Sequence, residues 1–197
     1  GPVTAFPFYE DEGRFEASFD VENGVLAFME DWPAARDVRG TVDFLNEGFT
    51  AHGTSSILGR DSAVISGGIA DMSNAVVEVE GVTDAPLTDV LGYLKAVPLF
   101  ARRLGPDLSR VEANGGFAEV NLALNLPLAD VAAYDLDAEI RMWDGELTVS
   151  GFGLAATEIE GVVNLENLSV TATGIEATLL DGPVVANVSP PDEPGYR

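Results

Sequence analysis

Cysteine is absent and histidine occurs once, at His52. No disulfide can form, no Cys-ligated zinc site is possible, and a triad or metal centre needing two histidines is excluded. Basic residues are scarce: 10 Lys and Arg stand against 33 Asp and Glu, a net charge of −23. So few cations cannot neutralise a run of phosphates inside so acidic a field, which makes nucleic acid and anionic lipid surfaces poor partners. No run of 18 apolar residues occurs, so no membrane-spanning helix is predicted. No signal peptide pattern is visible either. The chain opens with Gly1-Pro2, which reads as a cloning scar, and is expected to be an excised piece of a longer protein.

What is present is apolar and periodic. Hydrophobic residues make up 46% of the 197, ordinary for a folded domain, so the charge does not signal disorder. Residues 3–13 have no period and read as a lead-in. From there, Phe15, Ala17, Phe19 and Val21 alternate with Glu16, Ser18 and Asp20, the signature of a half-buried strand. Asn23-Gly24 predicts a hairpin, with a return strand over 25–29 that ends before Trp32-Pro33. Val38, Gly40, Val42 and Phe44 share one face of the next strand, which turns at Asn46-Glu47-Gly48. Short strands follow near 49–53, 63–70 and 75–82. Residues 86–104 switch to helical spacing through Leu87, Val90, Leu91 and Leu94, with Pro86 in the first turn, Asp84 as cap, a kink or a division into two short helices at Pro98, Arg102 and Arg103 at the C-terminal end and Gly105 as the stop. Alternation resumes at 116–125, with Ala118, Val120, Leu122 and Leu124 on one face. Strands near 131–142, 145–150, 157–165, 168–173 and 175–180 come next. The Pro-rich tail 189–197 reads as disordered.

The sequence also repeats itself. Residues 15–53 align without gaps on 136–174, at an offset of 121, with 11 of 39 positions identical. Gly24/Gly145, Gly40/Gly161, Asn46/Asn167 and Gly53/Gly174 are among the matches. A meander used twice, with the helix between copies, cannot bury its apolar face alone. The expectation is one β-rich domain over 14–188, built as a curved antiparallel, groove-like sheet with a helical insertion at 86–104. A β-sandwich is the alternative.

Several stretches carry a further resemblance. DWPAARDVRGTVDF (31–44) leads into a meander, then a helix reading PLTDVLGYLKAVPL (86–99), then a strand reading NGGFAEVNLALNLPL (114–128). This order resembles the central region of YhdP-type proteins in the AsmA–TamB group of the bacterial envelope, over residues 14–185. The resemblance implies a long β-groove with a hydrophobic interior and a parent protein anchored in the inner membrane. It also implies a periplasmic location and a role in moving phospholipid towards the outer membrane. The rest of the parent groove would be this segment's structural partner.

Such a role needs an apolar surface rather than reactive groups. Each methylene exposed to water costs about 0.8 kcal/mol, so a sixteen-carbon chain costs on the order of 12 kcal/mol. The alternation makes Phe15, Phe19, Val42, Phe44, Val120, Leu122, Leu124, Ile140, Val163 and Leu165 candidates to line the groove around phospholipid acyl chains. The same positions would serve an ordinary core. The stripe Leu87, Val90, Leu91 and Leu94 is a candidate lid. Catalysis finds little support: His52 has no G-x-S-x-G or comparable partner motif. Asp135, Asp137 and Glu139 alternate along a strand rather than converging from a calcium loop. Gly67-Gly68 lacks the Lys-Ser/Thr of a phosphate loop. No enzyme, cofactor or metal is expected. An envelope scaffold or adhesion module built as a sandwich is the rival reading.

Overall fold

The computed structural model describes residues 13–27, 32–56, 63–98, 100–101, 108–151, 153–167 and 169–190. Ten strands follow one another in a single sheet whose spatial order is the chain order. They are β1 (Glu16–Leu26), β2 (Ala35–Leu45), β3 (Gly48–Ser56), β4 (Ala63–Ile69), β5 (Val76–Pro86), β6 (Val111–Pro127), β7 (Asp135–Val149), β8 (Leu154–Glu166), β9 (Ser169–Leu179) and β10 (Gly182–Val188). Each ladder of known register, from β1–β2 to β4–β5 and from β7–β8 to β9–β10, is antiparallel. Among the described residues the connection from β5 to β6 contains the α-helix α1 (Leu87–Ala96). The fold is mainly β with one helical segment, and one sheet stands where a sandwich would need two. The chain forms two compact units, Gly1–Thr83 with Asn121–Leu136, and Asp84–Val120 with Asp137–Arg197.

In the first unit, β1 runs straight through Asn23-Gly24, so the expected hairpin is not there. Asn23 has φ +55°, and the pairing steps from Val21↔Gly40 to Gly24↔Val38. Two residues of β1 thus oppose one of β2, which is a β-bulge. Asp37, at φ +51°, puts the extra residue on β2 before Leu26↔Ala35, and the register is restored. Asn and Asp tolerate left-handed backbone, which serves a bulge as well as a turn. The turn at Asn46-Glu47 does form: Phe15 N–H donates to Asn46 Oδ1 at 2.9 Å, and Asn46 N–H donates to the Phe15 carbonyl at 2.9 Å.

The second unit has the same ladder design. The β7–β8 pairs Asp137↔Glu166, Met142↔Gly161, Gly145↔Ile159 and Leu147↔Ala156 are the β1–β2 pairs moved by 121 residues. Positive φ recurs at Asp144, Glu158 and Asn167, again 121 residues on. Asp144-Gly145 is therefore a bulge inside β7 rather than a break between strands. Beyond Ala172 the correspondence slips. Gly174, at φ +69°, is one extra residue in β9, between the pairs Val163↔Ala172 and Glu160↔Glu176. Its N–H donates to Asn187 Oδ1 of β10 at 2.8 Å. The expected strands 168–173 and 175–180 are thus one strand, and β10 is a strand the alternation reading did not place.

α1 is shorter than the stretch 86–104. Strand β5 runs up to Pro86, which stands at the N-cap with no side-chain cap, and Asp84 lies in the strand. The helix stops at Ala96 because Val97 is extended (ψ 119°), as a residue before proline must be. Helical residues recur at 98, 100 and 101, so Pro98 divides the segment. Arg102, Arg103 and Gly105, residues 1–2 and all but Gly13 of the stretch 3–13 lie outside the described residues, as does the tail beyond 190. No described helix is long and apolar enough to cross a membrane.

Candidate functional site

Directly opposed residues of antiparallel strands project to the same face, and neighbours along a strand to opposite faces. Three rows of the first unit follow from the registers. They are Ala17–Phe44–Phe49–Ile69, Phe19–Val42–Ala51–Gly67–Val79 and Val21–Gly40–Gly53–Ile65–Gly81. No charged side chain occurs in them. The alternate rows read Ser18–Asp43–Thr50–Gly68–Glu78 and Asp20–Thr41–His52–Ser66–Glu80. In these rows the acids and the single histidine lie on one side and the phenylalanines on the other; the polar side also carries Leu45, Val64 and Val82, in the rows Glu16–Leu45–Gly48 and Arg39–Thr54–Val64–Val82.

The apolar side of the first unit is only partly covered. Phe19 is 56% exposed and Phe15 38%. Val42, Phe44 and Phe49 are half-buried. The three phenylalanines of β1–β3 touch in series, Phe19 against Phe44 edge-on at 5.9 Å and Phe44 against Phe49 at 5.6 Å. Leu122 and Leu124 of β6 are half-buried in the same unit. Phe49 belongs with the candidates, although sequence reasoning left it out. The turn at Asn46-Glu47 carried the signal, because a two-residue connection sets Phe49 opposite Phe44.

In the second unit the corresponding positions are closed. Ile140 is 8% and Leu165 4% exposed. Ile159, Ala172 and Ile175 form a buried cluster with Met142, Leu147, Ala156, Val163 and Ala177 packed on it. Val163 is half-buried, as is Val120 of β6. Leu87 and Val90 of α1 are buried, while Leu91 and Leu94 are half-buried. A Cβ built on Gly145 would lie 3.5 Å from Leu87 Cδ2 and 3.0 Å from Ile159 Cβ, so the first residue of the helix rests on the bulge. Lys95 Nζ donates to the Val111 carbonyl at 2.7 Å and ties down the other end. Burial pushes the Tyr93 phenol above its ordinary pKa of 10.0.

The polar groups form local contacts. Hydrogen bonds from Ser73, through its side chain first and through its N–H at 2.7 Å, hold the Asp71 carboxylate below its usual pKa of 3.8. Ser56 Oγ donates to Asp37, and Thr178 Oγ1 to Glu158, each beside a bulge. Glu139 pairs with Arg141 on the exposed side at 3.2 Å, an arrangement worth little in water. Among the described residues no group of three or more His, Cys, Asp or Glu is placed to hold a metal ion. What the arrangement offers chemically is area: an apolar sheet face with charge on its reverse.

Comparison with known proteins agrees with this geometry. The family model described as "YhdP protein" matches residues 1–197. The chain is 27% identical over 188 residues to the intermembrane phospholipid transporter YhdP of Escherichia coli (strain K12). That match takes in 95% of this chain and 14% of the transporter, so the chain spans about one-seventh of its relative's length. No solved structure matches. A match along the whole sequence, on a single-sheet fold with one apolar face, means that the chain belongs to the YhdP protein family.

Proposed function

We propose that this chain is a segment of an apolar-groove protein that carries phospholipid acyl chains between the two membranes of a bacterial envelope, without catalysis. The parent is anchored in the inner membrane and this segment works in the periplasm, joined edge to edge with the rest of the parent's sheet. Family membership supports the transport role. One observation carries the groove reading: the uncharged rows through Phe19, Val42 and Phe44 remain partly open to solvent. Exposing a phenylalanine in a sheet costs solvation free energy, and contact with an acyl chain recovers it. The headgroup stays in water, so the face needs no cation of its own. In the second unit Ile140, Val163 and Leu165 are core as the chain stands, which makes Phe15, Phe19, Val42, Phe44, Leu122 and Leu124 the main contact residues.

Native mass spectrometry of the chain purified from bacteria tests this, paired with Phe19→Asp. Phe19 is exposed, so the variant folds and loses about 0.5–1.5 kcal/mol with its edge-on contact to Phe44. The expected result is reproducible phospholipid masses on the wild type and their loss from the variant. A clean apo mass for the wild type, with no uptake of labelled phospholipid, overturns the reading for this segment.

A further inference from the structure

The two units share one bulged ladder, yet one face is open and the other is occupied. The occupant is α1. At Gly145 the helix residue Leu87 lies at van der Waals distance from where a Cβ would stand. At the matching Gly24 the nearest atoms belong only to Val21 and Val38, within the ladder itself. Phe19 is 56% exposed, and its counterpart Ile140 8%. In the second unit, then, an apolar piece of the chain covers a face that the first unit leaves partly bare.

α1 is built to be separable. Helices of ten residues are marginal in water. This one has no side-chain cap and has Gly92 in its middle, with nothing within 4 Å of where a Cβ would stand. Its helicity depends on docking through Leu87 and Val90. Both ends are extended joints, at Pro86 (ψ 138°) and Val97 (ψ 119°); Val97 is fully buried, so the C-terminal joint stays anchored while the Leu87 end lifts.

We infer that α1 is a gate: it covers part of the apolar face of the second unit and lifts to let an acyl chain take its place. The inference rests on the reading that the apolar face takes acyl chains, and names how access to half of it is controlled. A lifted helix uncovers the ladder at Gly145 and Ile159, where Met142 and Ile175 belong to the same apolar cluster, and a bound chain re-covers it, so the exchange is one apolar occupant for another.

The test places p-benzoylphenylalanine at Phe19 in one preparation and at Met142 in another, with vesicles of labelled phosphatidylethanolamine. Each is made in the wild-type background and with Leu87→Ala and Val90→Ala together, which loosens α1. Expected is lipid cross-linking at position 19 in both backgrounds, and a several-fold rise at position 142 when α1 is loosened. Cross-linking at 19 with none gained at 142, in a variant folded by circular dichroism, overturns the gate and leaves the acyl-chain reading standing. No cross-linking at either position overturns that reading too. Hydrogen exchange on the wild type decides independently of any variant. α1 amides are expected to exchange about tenfold or more faster than those of β7–β9. Equal protection means that the helix leaves only on global unfolding, and the gate is wrong.

Discussion

Gly116 shows how tightly single residues are constrained. It lies at φ +93°, and a Cβ there would stand 2.5 Å from Gly145 Cα. Gly116→Ala meets both a disfavoured backbone region and the backbone of the neighbouring strand, so a loss of about 1–3 kcal/mol is expected, read from urea melts. Tyr93 titrates above its ordinary value of 10.0 because burial disfavours the phenolate. A group whose folded pKa is raised gives full stability below the unfolded value and loses it as pH climbs through the folded one. Stability is thus expected to fall above pH 10, and the fall to be shallower in Tyr93→Phe, as shown by melts across the alkaline range. At this scale the sequence is informative about residue type and less so about surroundings. The alternation of Phe15, Ala17 and Phe19 marks an apolar face, but nothing local says that Phe19 stays open while its counterpart Ile140 is buried.

Strand elements are legible in the sequence, and their joints are not. Asn23-Gly24 and Asp144-Gly145 have the chemistry of a turn. Whether a left-handed residue reverses the chain or kinks it within a strand depends on where the partner strand lies, and β2 and β8 continue alongside. Gly174 is the sharpest instance. Its extra residue changes the parity of β9, so Val170 and Ala172 before it, and Ile175, Ala177 and Leu179 after it, reach the same face. Deleting Gly174 should turn Ile175, Ala177 and Leu179 towards the polar side. The expected cost is roughly 3 kcal/mol or more, given about 1.5–3 kcal/mol for each large apolar side chain returned to water. Chemical denaturation measures it. A deletion costing under about 0.5 kcal/mol, the range of ordinary surface changes, would show that the parity change does not matter. The helix was legible from its spacing and its interruption from Pro98. Its start was not, because β5 extends to Pro86 and leaves Asp84 in a strand.

For the whole molecule the charge decides much. With −23 in 197 residues and the acids of the first unit's registered rows on the reverse face, the chain repels anionic surfaces while presenting an apolar one. Uptake of lipid from zwitterionic vesicles is expected to exceed uptake from anionic vesicles of the same chain length at low ionic strength. The two should converge near 1 M salt, where the Debye length is about 3 Å. Vesicle-transfer assays with labelled lipid read this directly, and a preference for anionic vesicles at low salt would contradict it. The sequence by itself determined the class of fold, the two-faced composition of the strands, the near-lack of reactive groups and the family. All of these follow from residue type and from a backbone period of two, which are local properties. Tertiary structure alone decided the register through the bulges at Asn23, Asp37, Asp144, Glu158 and Gly174, and which apolar face is covered. Burial depends on what comes to rest on a surface, and Leu87 reaches Gly145 across 58 residues of chain, a contact that no local pattern encodes.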